Sequence, residues 1–164
     1  MGFAFGTDII LDAIRAKIGP TLAVGGQTLT WAHVFEGQPL RWLDTLNSPS
    51  DYPCYVMRPE ETQAESGTSH KKLVLPVTVS IAIRHPEAQS TIISPKAYRA
   101  ARLVGEAVVA KLEDAGHNWG SQYIHSRDLD TCGVDYDLTE ELADQGIACY
   151  SLIYNVTWYE REVR

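Results

Sequence analysis

Two stretches of the chain alternate between apolar and other side chains. From Leu73 to Ile83 the odd positions read Leu, Leu, Val, Val, Ile and Ile, and the even ones Val, Pro, Thr, Ser and Ala. From Ile147 to Tyr159, Ala148, Tyr150, Leu152, Tyr154, Val156 and Trp158 share one face, opposite Cys149, Ser151, Asn155 and Thr157. A period of two predicts strands with one face in a core. Pro76 cannot donate to a ladder, so it predicts an edge position or a bulge.

Two other stretches have helical spacing. Ile10, Leu11, Ile14 and Ile18 form one stripe, with Asp12, Arg15 and Lys17 on the wet side. Thr7 and Asp8 suit the start of this helix, and Gly19-Pro20 its end. Ser94-Pro95 opens the second helix, whose core stripe is Ala97, Ala101, Val104, Val108 and Leu112. Gly105 within it lowers helix stability by roughly 1 kcal/mol relative to Ala, which predicts close packing at that point. Asp114-Ala115-Gly116 ends it.

The remaining elements are shorter. Gly25-Gly26 predicts a turn between strands at Thr21–Val24 and Thr28–Glu36, and Tyr52–Arg58 predicts another strand. Residues 37–51 read as loop, and residues 59–70 as a long polar loop with almost nothing apolar. Gln122–His125 reads as the start of a strand leading into an acidic loop over Asp128–Asp137. The order gives an α+β domain spanning 1–164. Its sheet is mainly antiparallel, of four to six strands, with two helices that each cover a sheet face.

Composition narrows the function classes. The 164 residues are 45% hydrophobic and 21% charged, which fits one folded domain. No apolar run approaches the roughly 20 residues of a membrane helix, and the first residues lack the basic segment of a signal peptide. Three cysteines without a CxxC pair predict buried thiols in a reducing compartment. The net charge of −7 disfavours gripping DNA, although an acidic surface lets DNA slide past.

Motifs for chemistry are sparse. His33, His70, His85, His117 and His125 show neither helical i, i+4 spacing nor a Cys/His ligand frame. Asp128, Asp130 and Gly133 resemble the start of a calcium loop. Cys132 at its fifth position and Thr139 at its twelfth break the pattern, which leaves a solvated acidic loop. There is no GxSxG, Ser-x-x-Lys, P-loop or GxGxxG after a strand. A non-enzymatic protein without metal or cofactor is expected. The 59–70 segment reads equally as a functional arm and as a linker. Trp42 and Trp119 lie in polar, loop-like segments, where an exposed aromatic would suit the centre of an interface.

The order of elements resembles the tail-terminator (tail-completion) proteins of long-tailed bacteriophages. The matching segments are TDIILDAIRAKIG, YPCYVMRP, the polar insertion ETQAESGTSH, KKLVLPVTVSIAIRH, SPKAYRAARLVGEAVVAKLED and GIACYSLIYNVTWYERE, which together span nearly the whole chain. The resemblance is one of architecture rather than of an invariant motif. It implies a ring, usually hexameric, that caps the finished tail tube, ends its polymerisation and offers a surface to the head or neck. The implied partners are further copies of the chain, the tail tube protein and head-tail connector or neck proteins, with DNA passing through the channel unbound. The implied place is the virion tail or neck, after assembly in the host cytoplasm. By analogy the polar insertion, with Glu60, Glu61, Gln63, Glu65 and His70, reaches the tube or an adjoining ring, and Trp42 and Trp119 join the candidate contacts. A head-tail connector or neck ring fits the same features. A small hydrolase using the Asp128–Asp137 loop or a Cys/His pair is the alternative from another class.

Overall fold

The computed structural model describes residues 5–37, 46, 48–60, 63–65, 71–85, 95–142 and 145–160. Helix α1 (Phe5–Ile18) buries Ile10, Leu11, Ile14 and Ile18, the stripe their spacing predicts. It begins two residues before Thr7, so that hydroxyl lies in the first turn rather than at the cap. Gly19 closes the helix at φ 73°, its N–H donating to the Arg15 carbonyl at 2.9 Å. A left-handed residue is needed there, and glycine adopts it without a Cβ clash. The Lys111 ammonium adds two 2.7 Å hydrogen bonds, to the carbonyls of Ile18 and Thr21. Lys111→Met is therefore expected to lower stability by about 1–2 kcal/mol. A urea midpoint that falls at constant slope is the check.

Strands β1 (Thr21–Val24) and β2 (Gln27–Thr30) form a hairpin over Gly25-Gly26, both at positive φ. The single strand expected over Thr28–Glu36 is broken. Strand β3 (His33–Glu36) leaves the hairpin to pair in parallel with β4 (Cys54–Pro59). Trp31 supplies the reason, turning into the core to meet Tyr55 edge-on at 4.9 Å.

With β5 (Gln63–Glu65), β6 (Lys71–Arg84), β7 (Ser126–Val134) and β8 (Ile147–Glu160), these two complete a six-stranded sheet. Its order is β3–β4–β6–β8–β7, with β5 beside the start of β6. Every pairing except β3–β4 is antiparallel, so the expected α+β class holds.

Pro76 does not mark an edge, because β6 is central. The Pro76 carbonyl accepts from the Glu60 N–H at 2.8 Å. In an antiparallel strand a residue's N–H and C=O point to the same neighbour. The missing donor of Pro76 thus faces the seam where β4 ends opposite Val77 and β5 begins opposite Val74.

Helix α2 (Pro95–Asp114) lies on the same sheet face as α1, and both share one core with Tyr55, Val79, Leu152 and Tyr154. The expectation of one helix per face is corrected here. The opposite face is covered at one end by a third helix, α3 (Tyr136–Leu142), which the acidic segment after β7 forms. Leu142 and Leu138 of α3 pack on Cys54, Val56, Ala82, Ile147 and Cys149. Asp135 starts α3, accepting the Leu138 N–H on one oxygen and the Ser151 hydroxyl on the other.

Candidate interaction surface

The polar insertion is more ordered than a loop at its centre. Gln63–Glu65 pair with Lys72–Val74, so β5, the first half of β6 and the end of β8 make a three-stranded arm. Beyond Val77 the arm has left β4 behind. Glu60 sits at its root, bridged to Arg58 at 2.9 Å. Gln63 and Glu65 occupy β5, opposite Val74 and Lys72 of β6. Trp42, Glu61 and His70 lie outside the described residues.

Trp119 is not the exposed anchor expected of its polar surroundings. It is 2% exposed, sits at φ 48° and donates its indole N–H to the Leu112 carbonyl at 3.0 Å. It packs edge-on against Tyr154 at 5.1 Å, so it belongs to the core. Beside it lies a network that local sequence patterns do not reveal. The Arg127 guanidinium donates to a Glu113 carboxylate oxygen and to the Glu113 carbonyl, both at 2.7 Å, and to the Gly116 carbonyl at 3.0 Å. It also lies 5.9 Å from the ring centroids of Trp119 and Tyr154. The Tyr154 hydroxyl donates to the same Glu113 oxygen at 2.7 Å. That hydroxyl first, and Arg127 after it, hold the Glu113 carboxyl below its usual range. With its donors engaged by fixed acceptors, Arg127 works as a clamp between the end of α2 and β7.

The Asp128–Asp137 segment is not an acidic loop. Its first seven residues are edge strand, and Gln122–His125 precede that strand as a turn and irregular chain rather than starting it. Asp128 and Asp130 are exposed on β7, with a bulge at Asp130, which is no calcium-loop geometry. Among the described residues no three His, Cys, Asp or Glu side chains converge as a metal site would require. His33 meets Asp51 at 3.0 Å, and His125 packs edge-on against Tyr159 at 4.9 Å. The His33 hydrogen bond leads the causes that keep the Asp51 carboxyl below its ordinary range.

Burial pushes the Cys54 thiol up to about 12 and raises Cys149 as well, so neither is a thiolate near neutrality. They flank Ala82 on adjacent strands, about 10 Å apart by strand spacing, beyond disulfide reach. Cys132 departs from the expected burial, being exposed on β7. An open groove of about 670 Å³ between the hairpin, the end of β6 and α2 is floored by Leu29, Pro53, Ile83, Ala100 and Val104. Among the described residues His85 is its only imidazole, and neither a carboxylate nor a thiol lines it.

Four large apolar or aromatic side chains stand well exposed among the described residues: Leu103, Tyr123, Tyr136 and Tyr159. No family model matches this chain, and no curated protein matches its sequence.

Proposed function

We propose that the chain is a structural subunit of a phage tail, forming a ring that caps the tail tube, ends its growth and joins it to the head or neck. The observation that carries this reading is that the sheet ends in two unlike edges, β3 on one side and β7 on the other. A surface that cannot match itself joins copies head to tail, and such contacts close into rings when the rotation permits. The three-stranded arm supports the same role, since it extends past β4 and offers a paired element to a neighbouring ring. With a net charge of −7, the channel of such a ring lets DNA pass without adhesion.

Native mass spectrometry of the chain, alone and mixed with tube subunits, is the test. A closed oligomer that binds tube ends and stops their growth is expected. A strict monomer in both conditions would overturn the proposal. A ring that binds the portal side and ignores tube ends would instead assign the chain to the neck.

A further inference from the structure

Helix α1 has the charge order that a helix dipole favours, with Asp8 in its first turn and Arg15 and Lys17 in its last. Helix α2 reverses that order. Its first turn holds no acid, and Lys96, Arg99 and Arg102 recur every third residue before its first carboxylate, Glu106. Cations near the positive end of a helix lower its stability, and sequences break such local rules mainly at functional surfaces. Ion pairing does not compensate. Among the described residues Arg15, Arg58 and Arg127 each meet a carboxylate, whereas Arg84, Arg99 and Arg102 meet none.

Two of these unpaired cations flank the apolar groove between the hairpin, the end of β6 and α2. Arg84 lines it beside Ile83, and Ala100 and Val104 form its helix wall. Arg99 adjoins Ala100, and Leu103, 51% exposed, follows Ala100 by one turn. The wall thus continues outward as a ridge that is both apolar and cationic. Among the described residues no carboxylate lines the groove. The neighbouring Asp51 is already held, by His33 at 3.0 Å and by the Ser48 N–H at 3.0 Å. On a chain of net charge −7, this groove is a locally positive rim around an apolar floor.

We infer that this groove is the docking site for an acidic peptide segment of another protein, one that also carries apolar side chains. Its apolar groups rest on Leu29, Pro53, Ile83, Ala100 and Val104, and its carboxylates face Arg84 and Arg99. Charge complementarity selects this occupant. A purely apolar ligand would leave the cations unanswered, and a small inorganic anion would leave the floor uncovered. A nucleic-acid backbone is repelled by the surrounding negative charge, as is a second copy that also carries −7. The volume of about 670 Å³ lies within the range of ligand clefts and takes a few anchoring side chains. The floor supplies affinity, while the cations raise the encounter rate and reject basic segments. The inference goes beyond the ring reading and does not depend on it.

Selection of a displayed random peptide library against the full chain is the test. Enriched peptides are expected to combine Asp or Glu with Leu, Phe or Trp. They are expected to bind at least about tenfold more weakly to a chain carrying Arg84→Glu with Arg99→Glu. Leu103→Glu is expected to weaken them as well, and so is a rise in salt from about 0.05 M to about 0.5 M. All three side chains are exposed, so circular dichroism and melting temperature should stay close to wild type. No enriched peptide, no acidic bias, or binding that survives the charge reversal would overturn the inference and leave the ring reading untouched. If the reversal instead dissolves an oligomer of the wild-type chain, the groove belongs to a contact between copies and the separate partner falls.

Discussion

Gly105→Ala is expected to destabilise the protein, although alanine in a helix interior ordinarily gains roughly 1 kcal/mol over glycine. A Cβ at this position would enter the Tyr150 ring at its Cγ and Cδ atoms, far inside van der Waals distance. These atoms are near the root of the side chain, so the ring cannot swing aside without leaving α2. Tyr150 is 3% exposed in the same core, which leaves it no empty space to enter. A clash this deep lies at the upper end of overpacking costs, about 3 kcal/mol, which outweighs the propensity gain of roughly 1 kcal/mol. For a chain of this size a net loss of about 2 kcal/mol lowers the melting temperature by about 4–8 °C. Gly133→Ala is the control: nothing lies within 4 Å of its added Cβ, and the change is expected within about 0.5 kcal/mol of wild type. Combining Gly105→Ala with Tyr150→Leu is expected to recover about 1 kcal/mol relative to additivity, because the clash partner is gone. A melting temperature that rises in the single variant would show that α2 does not seat on this ring.

The same glycine marks how far the sequence could be read. Close packing at Gly105 follows from one costly residue on an otherwise regular apolar stripe, and the two long strands follow from unbroken alternation. β7 was hidden for a physical reason. Before the bulge, Arg127 and Leu129 face the helices, and after it Cys132 and Val134 do. One inserted residue moves the inward positions from odd to even and erases the period of two. The aspartates beside it then suggest a loop. α3 is seven residues long and buries only Thr139 and Leu142, too short a repeat to reveal a helical period. The break at Trp31 and the central place of Pro76 depend on partners distant in sequence, which local pattern does not carry. The same holds for Trp119. Its polar neighbours suggest exposure, but its indole donates to a carbonyl seven residues back while Arg127 and Tyr154 close around it.

These corrections move the candidate surface. The polar insertion supplies a paired arm, but the exposed aromatic groups gather around β7, on the opposite side of the sheet from β4 and β5. Arm and edge meet at the end of β8, where Tyr159 pairs with Lys72 of the arm. Arg127 is the residue that holds β7 to the end of α2.

Arg127→Met is expected to cost about 2–3 kcal/mol, toward the lower end of the values for breaking a buried charge pair. The Arg127 side chain is 8% exposed, so its removal leaves the Glu113 and Gly116 carbonyls without this donor and the Glu113 carboxylate with the Tyr154 hydroxyl alone. The Glu113 side chain is 41% exposed, so water recovers part of the loss and keeps it below the full range. Arg127→Lys is expected to fall close to Arg127→Met, because an ammonium cannot reach three fixed acceptors while stacking on Trp119 and Tyr154. Glu113→Gln is expected to be milder, about 1 kcal/mol, since an amide oxygen still accepts from Tyr154. The pH dependence follows from the lowered Glu113 carboxyl. Its contribution is fully present above the ordinary value of 4.5 and is lost as pH falls through the lower folded value. The gap between wild type and Arg127→Met should therefore narrow in urea titrations carried from pH 6 toward pH 3. In hydrogen exchange, the amides of β7 should lose protection in the variant while β6 and the centre of β8 keep theirs. Uniform loss across the sheet would mean that Arg127 stabilises the whole core rather than the β7 edge.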